Sequence, residues 1–431
     1  MHRGLRFLAA CVAVGMLTLL DVGAASAAPV DSPDPCAACH ARESQEWANS
    51  AHARAGGSET FLKLMEQGPK TAVAWEKREC LRCHSPLRYQ NPSGPDGVPC
   101  QVCHSIDSVD AMGNGSFRLA SDGIARGPGG KSAPHPTAAS PLFQDSVFCA
   151  ACHEQYHPVT GVLLQGTYSE WRNSLASSQG LSCQGCHMRD VGSVSHAFGP
   201  GAQNPEAKTA ALAEALSMTV SAPGSLRAGG YAMVEAALRN SGAGHSLPTG
   251  KNEGGEMWLE FWAGADGRIL HQEQLPYGVA YQDADGEYKA PLSLWDAAGI
   301  FNDHRLLPGK PTTERFAFAV PVDTRGNVTI RATLMYRPRP AWLTERLSLP
   351  EDDAYPVLTA ESSIQVLEPL PSPVYVAPTP EPTRVPTPTG AVGIGGSTAK
   401  MEDRSWMGPF LVAGGCALIL VAVWAVARRK V

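Results

Sequence analysis

The chain has 431 residues, a formal net charge of −6 and 43% hydrophobic residues, and this length allows one to three folded domains. The isoelectric point near 6.1 argues against nucleic acid as a partner, since nucleic-acid-binding domains are typically strongly basic. Only 18% of the residues are charged, against 43 glycines and 35 prolines, which favours a loop-rich fold.

Residues 1–27 have the pattern of a secretory signal peptide. Arg3 and Arg6 form a charged start, residues 7–20 are apolar, and Ala25-Ser26-Ala27 is a small-residue cleavage site. A retained N-terminal membrane helix is the alternative reading, and Asp21 together with the cleavage site argues against it. We therefore expect the rest of the chain to be exported.

Five copies of the pattern Cys-x-x-Cys-His follow within residues 28–217, and they contain ten of the twelve cysteines. This pattern is the attachment signature of c-type haem. Two cysteines three residues apart can form thioethers to the two vinyl groups of one haem, and the next histidine ligates its iron. The cysteines are Cys36, Cys39, Cys80, Cys83, Cys100, Cys103, Cys149, Cys152, Cys183 and Cys186, and the histidines are His40, His84, His104, His153 and His187.

Other uses of paired cysteines fit these five copies less well. A zinc site of this type takes two Cys-x-x-Cys pairs, and five pairs do not divide into complete sites. Structural disulfides do not require a histidine after every pair, and a thioredoxin-like motif needs one pair. We therefore expect five covalently bound haem c groups with their iron, in a mainly α-helical and irregular domain that spans residues 28–217.

The function depends on which residue provides the second axial ligand of each iron. Seven histidines outside the motifs follow the signal peptide. His52, His135 and His196 lie near the motifs and are expected to be ligands, because the region has five open iron positions. His245 lies in a Gly- and Pro-rich turn of the following domain, where we expect it to reach back and ligate an iron.

The remaining histidines are weaker candidates. His157 follows His153 closely and is the leading candidate for the fifth distal ligand. Methionine stays open as an alternative sixth ligand, and it would raise the potential of that haem. We interpret the last two, His271 and His304, as structural because they lie among strand and turn signals.

Residues 218–368 change to a period-two pattern. A helix is predicted first, with Asn204 as its N-cap and Pro205 at its first position, and it runs to about Ser217. Alternating runs then predict strands separated by Gly and Asp turns, which indicates an antiparallel β-sandwich of immunoglobulin-like type. The clearest runs are 231–238, 257–262, 313–320 and 328–336.

The last part of the chain predicts a membrane anchor. Residues 369–407 form a linker rich in Pro, Thr and Gly, and residues 408–427 are an uncharged apolar run of the length that crosses a bilayer. The basic residues of the tail 428–431 place that end in the cytoplasm. We expect a single-pass protein of the cell membrane whose other domains lie on the extracytoplasmic side.

Residues 36–200 resemble the multihaem c-type cytochromes related to the nitrifiers' tetrahaem electron carrier and to hydroxylamine oxidoreductase. The resemblance lies in 47–52, in 97–104, and in Tyr168-Ser169-Glu170-Trp171 leading to 183–188. It implies close-packed haems, mostly with two axial histidines, and its ligand-like positions are matched by His52, His135, His196 and His245. The five motifs and the expected C-terminal anchor differ from the soluble four-haem carrier.

Electron transfer is the function that these expectations favour, because iron with two strong axial ligands has no position for a substrate. The alternative is a multihaem oxidoreductase with one open iron that acts on a small nitrogen or sulfur compound. All five motifs end in His, whereas pentahaem nitrite reductases have a Lys in one motif. The expected partners are redox donor and acceptor proteins, such as a quinol-oxidising membrane complex or another cytochrome. A purely structural surface protein is a third alternative.

Overall fold

The computed structural model describes residues 35–67, 77–130, 132–190, 193–199, 204–288 and 295–371, which belong to one unit of contacts. The expected signal peptide, the apolar run 408–427 and nearly all of the linker lie outside these residues. Within the described ranges, every helix is too short or too polar to span a bilayer.

Residues 35–199, here called the motif region, consist of short helices joined by long loops. Motifs two to five each lie in or at the start of a helical turn, and in motif one the His40 N–H donates to Cys36 O at 2.8 Å. A helical turn places positions i, i+3 and i+4 on one face, so both sulfurs and the imidazole can reach one haem. The helices are α1 (Ala41–Ala48), α2 (Glu59–Gln67), α3 (Leu81–His84), α4 (Pro86–Gln90), α5 (Cys100–Ser105), α6 (Val147–His153), α7 (Thr167–Arg172), α8 (Leu175–Ser178) and α9 (Cys183–His187).

Eight short strands form four two-stranded ribbons between these helices. They are β1 (Ile106–Val109), β2 (Phe117–Leu119), β3 (Ala125–Gly127), β4 (Thr137–Ala139), β5 (Gln155–Tyr156), β6 (Leu163–Gln165), β7 (Arg189–Asp190) and β8 (Ser193–Val194). Few large apolar side chains are buried in the motif region, and the main hydrophobic cluster of the described residues lies beyond it.

The helix predicted after the motif region is α10 (Pro205–Ala215), and the Asn204 side chain caps it by accepting from the Ala207 N–H at 3.0 Å. It ends two residues earlier than predicted because a strand begins at Leu216. Leu212 of α10 is buried in the core of the strands that follow. The packed β-region therefore begins with this helix, ahead of the boundary expected at residue 218.

The β-region contains two sheets. Its elements are β9 (Leu216–Ser221), β10 (Ser225–Arg227), β11 (Tyr231–Asn240), β12 (Glu256–Ala265), β13 (Arg268–Gln282), β14 (Gly299–His304), β15 (Pro311–Ala319), β16 (Asn327–Arg337), α11 (Ala341–Leu347) and β17 (Tyr355–Leu367). The strand orders are β10-β17-β16-β12-β13-β14 and β15-β11-β9. One pair departs from the expected antiparallel arrangement, because β10 and β17 are parallel. All four strands singled out in the sequence are present: β11, β12 and β16 extend beyond the predicted runs, and β15 begins two residues earlier and ends one residue earlier than its run.

The two sheets share one apolar core. Buried and solvent-facing side chains alternate along β11 and β16, as a half-buried strand requires. Phe261 of β12 stacks on Phe316 of β15, with ring centroids 3.8 Å apart and planes 9° apart. This pair joins the two sheets at the middle of the core.

The motif region and the β-region are in contact along several elements. The Tyr281 hydroxyl donates to Leu164 O at 3.1 Å, and the Leu164 side chain packs against Val279 and Tyr281. At a second contact, Lys63 of α2 donates to Ser348 O at 3.3 Å. The β-region is therefore positioned to contribute side chains to the motif region.

Replacing Phe316 with Ala is expected to lower the free energy of unfolding by about 3–5 kcal/mol, because it removes a buried ring and leaves a cavity. Urea unfolding of the full chain, followed by far-ultraviolet circular dichroism, measures this change. Phe301→Ala is the control, since that ring is 58% exposed, and its effect is expected within about 0.5 kcal/mol. Equal effects of the two substitutions would contradict the assigned core.

Candidate haem sites

The five motifs define five sites, numbered 1 to 5 in chain order. Three motif histidines are oriented by the backbone: His84 Nδ1 lies 2.9 Å from Ala55 O, His104 Nδ1 lies 2.6 Å from Arg126 O, and His187 bonds to the backbone of Phe198. A histidine that donates Nδ1–H to a carbonyl presents Nε2 to a metal. The local folds thus prepare these side chains as axial ligands.

Four motif histidines face a second histidine. The pairs, with the distances between ring centroids, are His40 and His135 (6.4 Å), His153 and His52 (6.1 Å), His104 and His196 (6.4 Å), and His187 and His245 (6.1 Å). Two imidazoles that each bind one metal through a nitrogen at ~2 Å have centroids ~6 Å apart. The four pairs are therefore spaced to hold one iron each.

The chemistry of these side chains fits the haem group. His52 and His196 each hold a buried Nδ1 with no hydrogen-bond partner in the described part of the chain, and such an atom is costly unless it is bound. Burial lowers the pKa of His52 to about 4. This ring is thus neutral at physiological pH, which is the form that binds a metal.

A distal histidine need not face the motif that is nearest to it in the sequence. His52 follows motif one, yet it faces His153 of site 4, and His135 precedes motif four, yet it faces His40 of site 1. His245 comes from the loop after β11 and faces His187 of site 5 across the boundary between the regions. Sequence proximity therefore does not indicate which distal histidine serves which site.

Site 4 lies at the centre of the sites that touch. Cys152 of site 4 hydrogen-bonds Cys83 of site 2, and Cys149 of site 4 hydrogen-bonds Cys183 of site 5.

Two residues that the sequence analysis did not propose, Glu46 and Glu170, hold the distal histidines in place. The Glu46 carboxylate accepts from the backbone N–H of His196 at 2.7 Å. The Glu170 carboxylate accepts from Ser246 N–H at 3.1 Å, next to His245, and from the Thr249 hydroxyl at 2.7 Å. The signal was present in the sequence, because both lie in a repeated Glu-Trp-x-Asn-Ser phrase.

The tryptophans of the repeated phrase act on the same two sites. The Trp47 indole donates to Val98 O at 2.8 Å, and the Trp171 indole donates to Leu181 O at 2.8 Å. Each carbonyl lies two residues before the first cysteine of a motif, at sites 3 and 5 respectively. Each Glu-Trp pair thus fixes both faces of one site, the motif through Trp and the distal histidine through Glu.

Site 2 differs from the others, because no second histidine faces His84 within the described residues. The ring of His84 instead stacks on Phe61 of α2, with centroids 4.6 Å apart. Glu79, Cys80, Cys83 and His84 line an open cleft together with residues that include Lys251 of the β-region.

His157, the leading sequence candidate for the fifth distal ligand, lies in a turn away from the motif histidines. Its Nδ1 accepts from the N–H groups of Val159 and Thr160 at 3.2 and 3.0 Å. Its Nε2 lies 3.2 Å from Trp295 O. Both ring nitrogens are thus engaged with the backbone, and the structure does not bring His157 together with a motif histidine.

Replacing His245 with Ala is expected to open the iron of site 5, because His245 is the histidine that faces His187. One high-spin signal should appear in electron paramagnetic resonance spectra, and one iron in five should gain affinity for carbon monoxide. His271→Ala is the control. That side chain lies on β13, in a sheet of the β-region, and its Nε2 lies next to the Glu273 carboxylate. Five unchanged low-spin irons in the His245 variant would contradict this ligation.

Comparisons with known proteins support a multihaem c-type cytochrome. The family described as cytochrome c554 and c-prime matches residues 35–105. The penta-heme cytochrome c552 from Thermochromatium tepidum has 19% sequence identity and a TM-score of 0.62, over 76% of this chain and 97% of that one. A match of that length is longer than the motif region, so it extends into the β-region. A search of curated proteins finds no match.

Two further structures match with low TM-scores. The CARDB domain of a Pyrococcus furiosus protein is 13% identical over 36% of this chain and 93% of its own, with a TM-score of 0.19. A β-glucosidase from Listeria innocua is 12% identical over 36% of this chain and 16% of its own, with a TM-score of 0.15. The described chain has the attachment motifs and the fold of a multihaem c-type cytochrome.

Proposed function

We propose that the protein relays electrons through five closely packed haems, most of which have two axial histidines. The observation that carries this proposal is the set of four histidine pairs with ring centroids 6.1 to 6.4 Å apart. A pair of imidazoles at this separation fills both axial positions of an iron, which leaves no position for a substrate. When bound, haem supplies one-electron iron chemistry.

The residues around the sites support a relay because they hold the ligands rigidly. The Glu46 and Glu170 carboxylates anchor the segments that carry His196 and His245. Fixed ligands keep the iron environment similar in both oxidation states, which favours fast electron exchange. The contacts of Cys83 with Cys152 and of Cys149 with Cys183 support short steps among sites 2, 4 and 5.

Sites 1 and 3 are joined to this group through α1. Arg42, two residues after His40, pairs with Asp190 at 3.0 Å, three residues after His187 of site 5. Glu46 of the same helix binds His196, which serves site 3. These contacts support one continuous group of five sites.

An oxidoreductase remains the second candidate function, and site 2 is the observation that favours it. His84 has no histidine opposite it among the described residues, and an open cleft lies beside it. Catalysis on a small nitrogen or sulfur compound would require an open iron there.

We also propose that the apolar run 408–427 anchors the protein in the cell membrane, with both described regions on the extracytoplasmic side. The support is the charge-free run followed by Arg428, Arg429 and Lys430. Donor and acceptor would then be redox proteins at that face, such as a quinol-oxidising membrane complex or another cytochrome. We further propose that the β-region is of the immunoglobulin-like class, and that the motif region is related to the nitrifiers' cytochromes.

The relay is tested on the purified full chain by intact mass and by stopped-flow spectroscopy. The mass should exceed that of the polypeptide by five haems, and all five should be reduced by a low-potential dye and reoxidised by an oxidised cytochrome. Nitrite, hydroxylamine and sulfite should not be turned over. Steady turnover of any of these compounds, with carbon monoxide inhibition, would favour the oxidoreductase instead.

Removal of residues 406–431 is expected to release a soluble haem protein, because it deletes the apolar run. Membranes from cells expressing the full and the truncated chain are washed with high salt and separated by centrifugation. The same deletion should leave the haem count unchanged, which separates loss of the anchor from loss of folding. A truncated chain that still sediments with membranes would contradict the C-terminal anchor.

A further inference from the structure

The loop after β11 contributes two side chains to the haem sites. His245 at its start faces site 5, and Lys251 at its end lines the cleft of site 2 beside Cys80, Cys83 and His84. The loop is held between these positions by Glu170, which accepts from both Ser246 and Thr249. The same anchor therefore orients the side chains for two sites.

Three other polar side chains in the cleft, those of Glu79, Asn114 and Gln165, already have partners. The Glu79 carboxylate lies 2.5 Å from Arg82 Nε, and it also accepts from the Tyr89 hydroxyl at 3.3 Å. The Asn114 side chain accepts from Tyr156 N–H at 2.9 Å, and Gln165 lies 3.3 Å from His153 Nδ1.

Besides His84, Lys251 is the cleft residue whose side-chain nitrogen can bind a metal. Across the described ranges, Lys251 forms no ion pair, and the cleft contains neither a methionine nor a second histidine beside His84. Lys251 and His84 line the same cleft, so both nitrogens can reach one metal there.

We propose that the Nζ amine of Lys251 is the distal axial ligand of the haem iron at site 2, opposite His84. This inference rests on the proposed relay and completes it, because it gives every site two nitrogen ligands. The amine binds iron through its lone pair, and its proton passes to solvent on binding. An arginine at this position keeps the charge but cannot ligate, because a guanidinium stays protonated.

The test compares the purified wild-type holoprotein with Lys251→Ala and Lys251→Arg. Wild type should show no high-spin iron, and the reduced protein should bind no carbon monoxide. Each variant should show one high-spin iron in five and bind one equivalent of carbon monoxide. Near-infrared magnetic circular dichroism of wild type should contain one band that differs from those of the histidine pairs and is lost in both variants.

Lys310→Ala is the matched control, because it removes an exposed lysine of the β-region in a turn before β15. It should leave every spectrum unchanged. High-spin iron already present in wild type, or five low-spin irons in Lys251→Ala, would overturn the ligation. Retention of low-spin iron in Lys251→Arg alone would show that only the charge of Lys251 matters, which also overturns it. In each case four low-spin histidine pairs would leave the relay intact, whereas their loss would contradict the relay itself.

Discussion

Two Glu-Trp pairs, Glu46-Trp47 and Glu170-Trp171, join segments that are far apart in the chain at sites 3 and 5. Each indole holds the backbone ahead of a motif, and each carboxylate holds the backbone at or next to a distal histidine. The second pair is also bound to Arg305, whose Nη1 lies 2.5 Å from Glu170 in a contact where both side chains are nearly buried. Breaking a buried ion pair typically costs more than the pair contributes on its own, so this contact strongly favours one arrangement of the two regions.

Features encoded by short sequence spacings were predictable. The motifs need only one helical turn, the strands show their alternation directly, and Asn204-Pro205 marks the start of α10. Pairings between histidines far apart in the sequence were not predictable, because they depend on how the chain folds back on itself. His52 and His135 face motif histidines that are distant in sequence, and His157 was favoured by proximity although its turn occupies both ring nitrogens. The repeated Glu-Trp phrase was visible, but its hydrogen bonds required the fold.

The relative orientation of paired rings differs among the sites. The planes of His52 and His153 are 89° apart, whereas those of His187 and His245 are 18° apart. Ring orientation is fixed by the hydrogen bonds and packing of each ligand, and these outer contacts tune a metal site. A chain with five chemically similar attachment motifs can therefore provide five distinct electronic environments.

The loop that carries His245 and Lys251 also has a consequence for the order of biosynthesis. Sites 1, 3 and 4 draw both facing histidines from residues 35–199, which leave the ribosome before the β-region. Site 5 is completed only when the chain beyond β11 has been made and has docked. Attachment of haem to the first cysteines can thus precede closure of the last site. On the proposed ligation, docking of the β-region is the folding event that completes the set of sites.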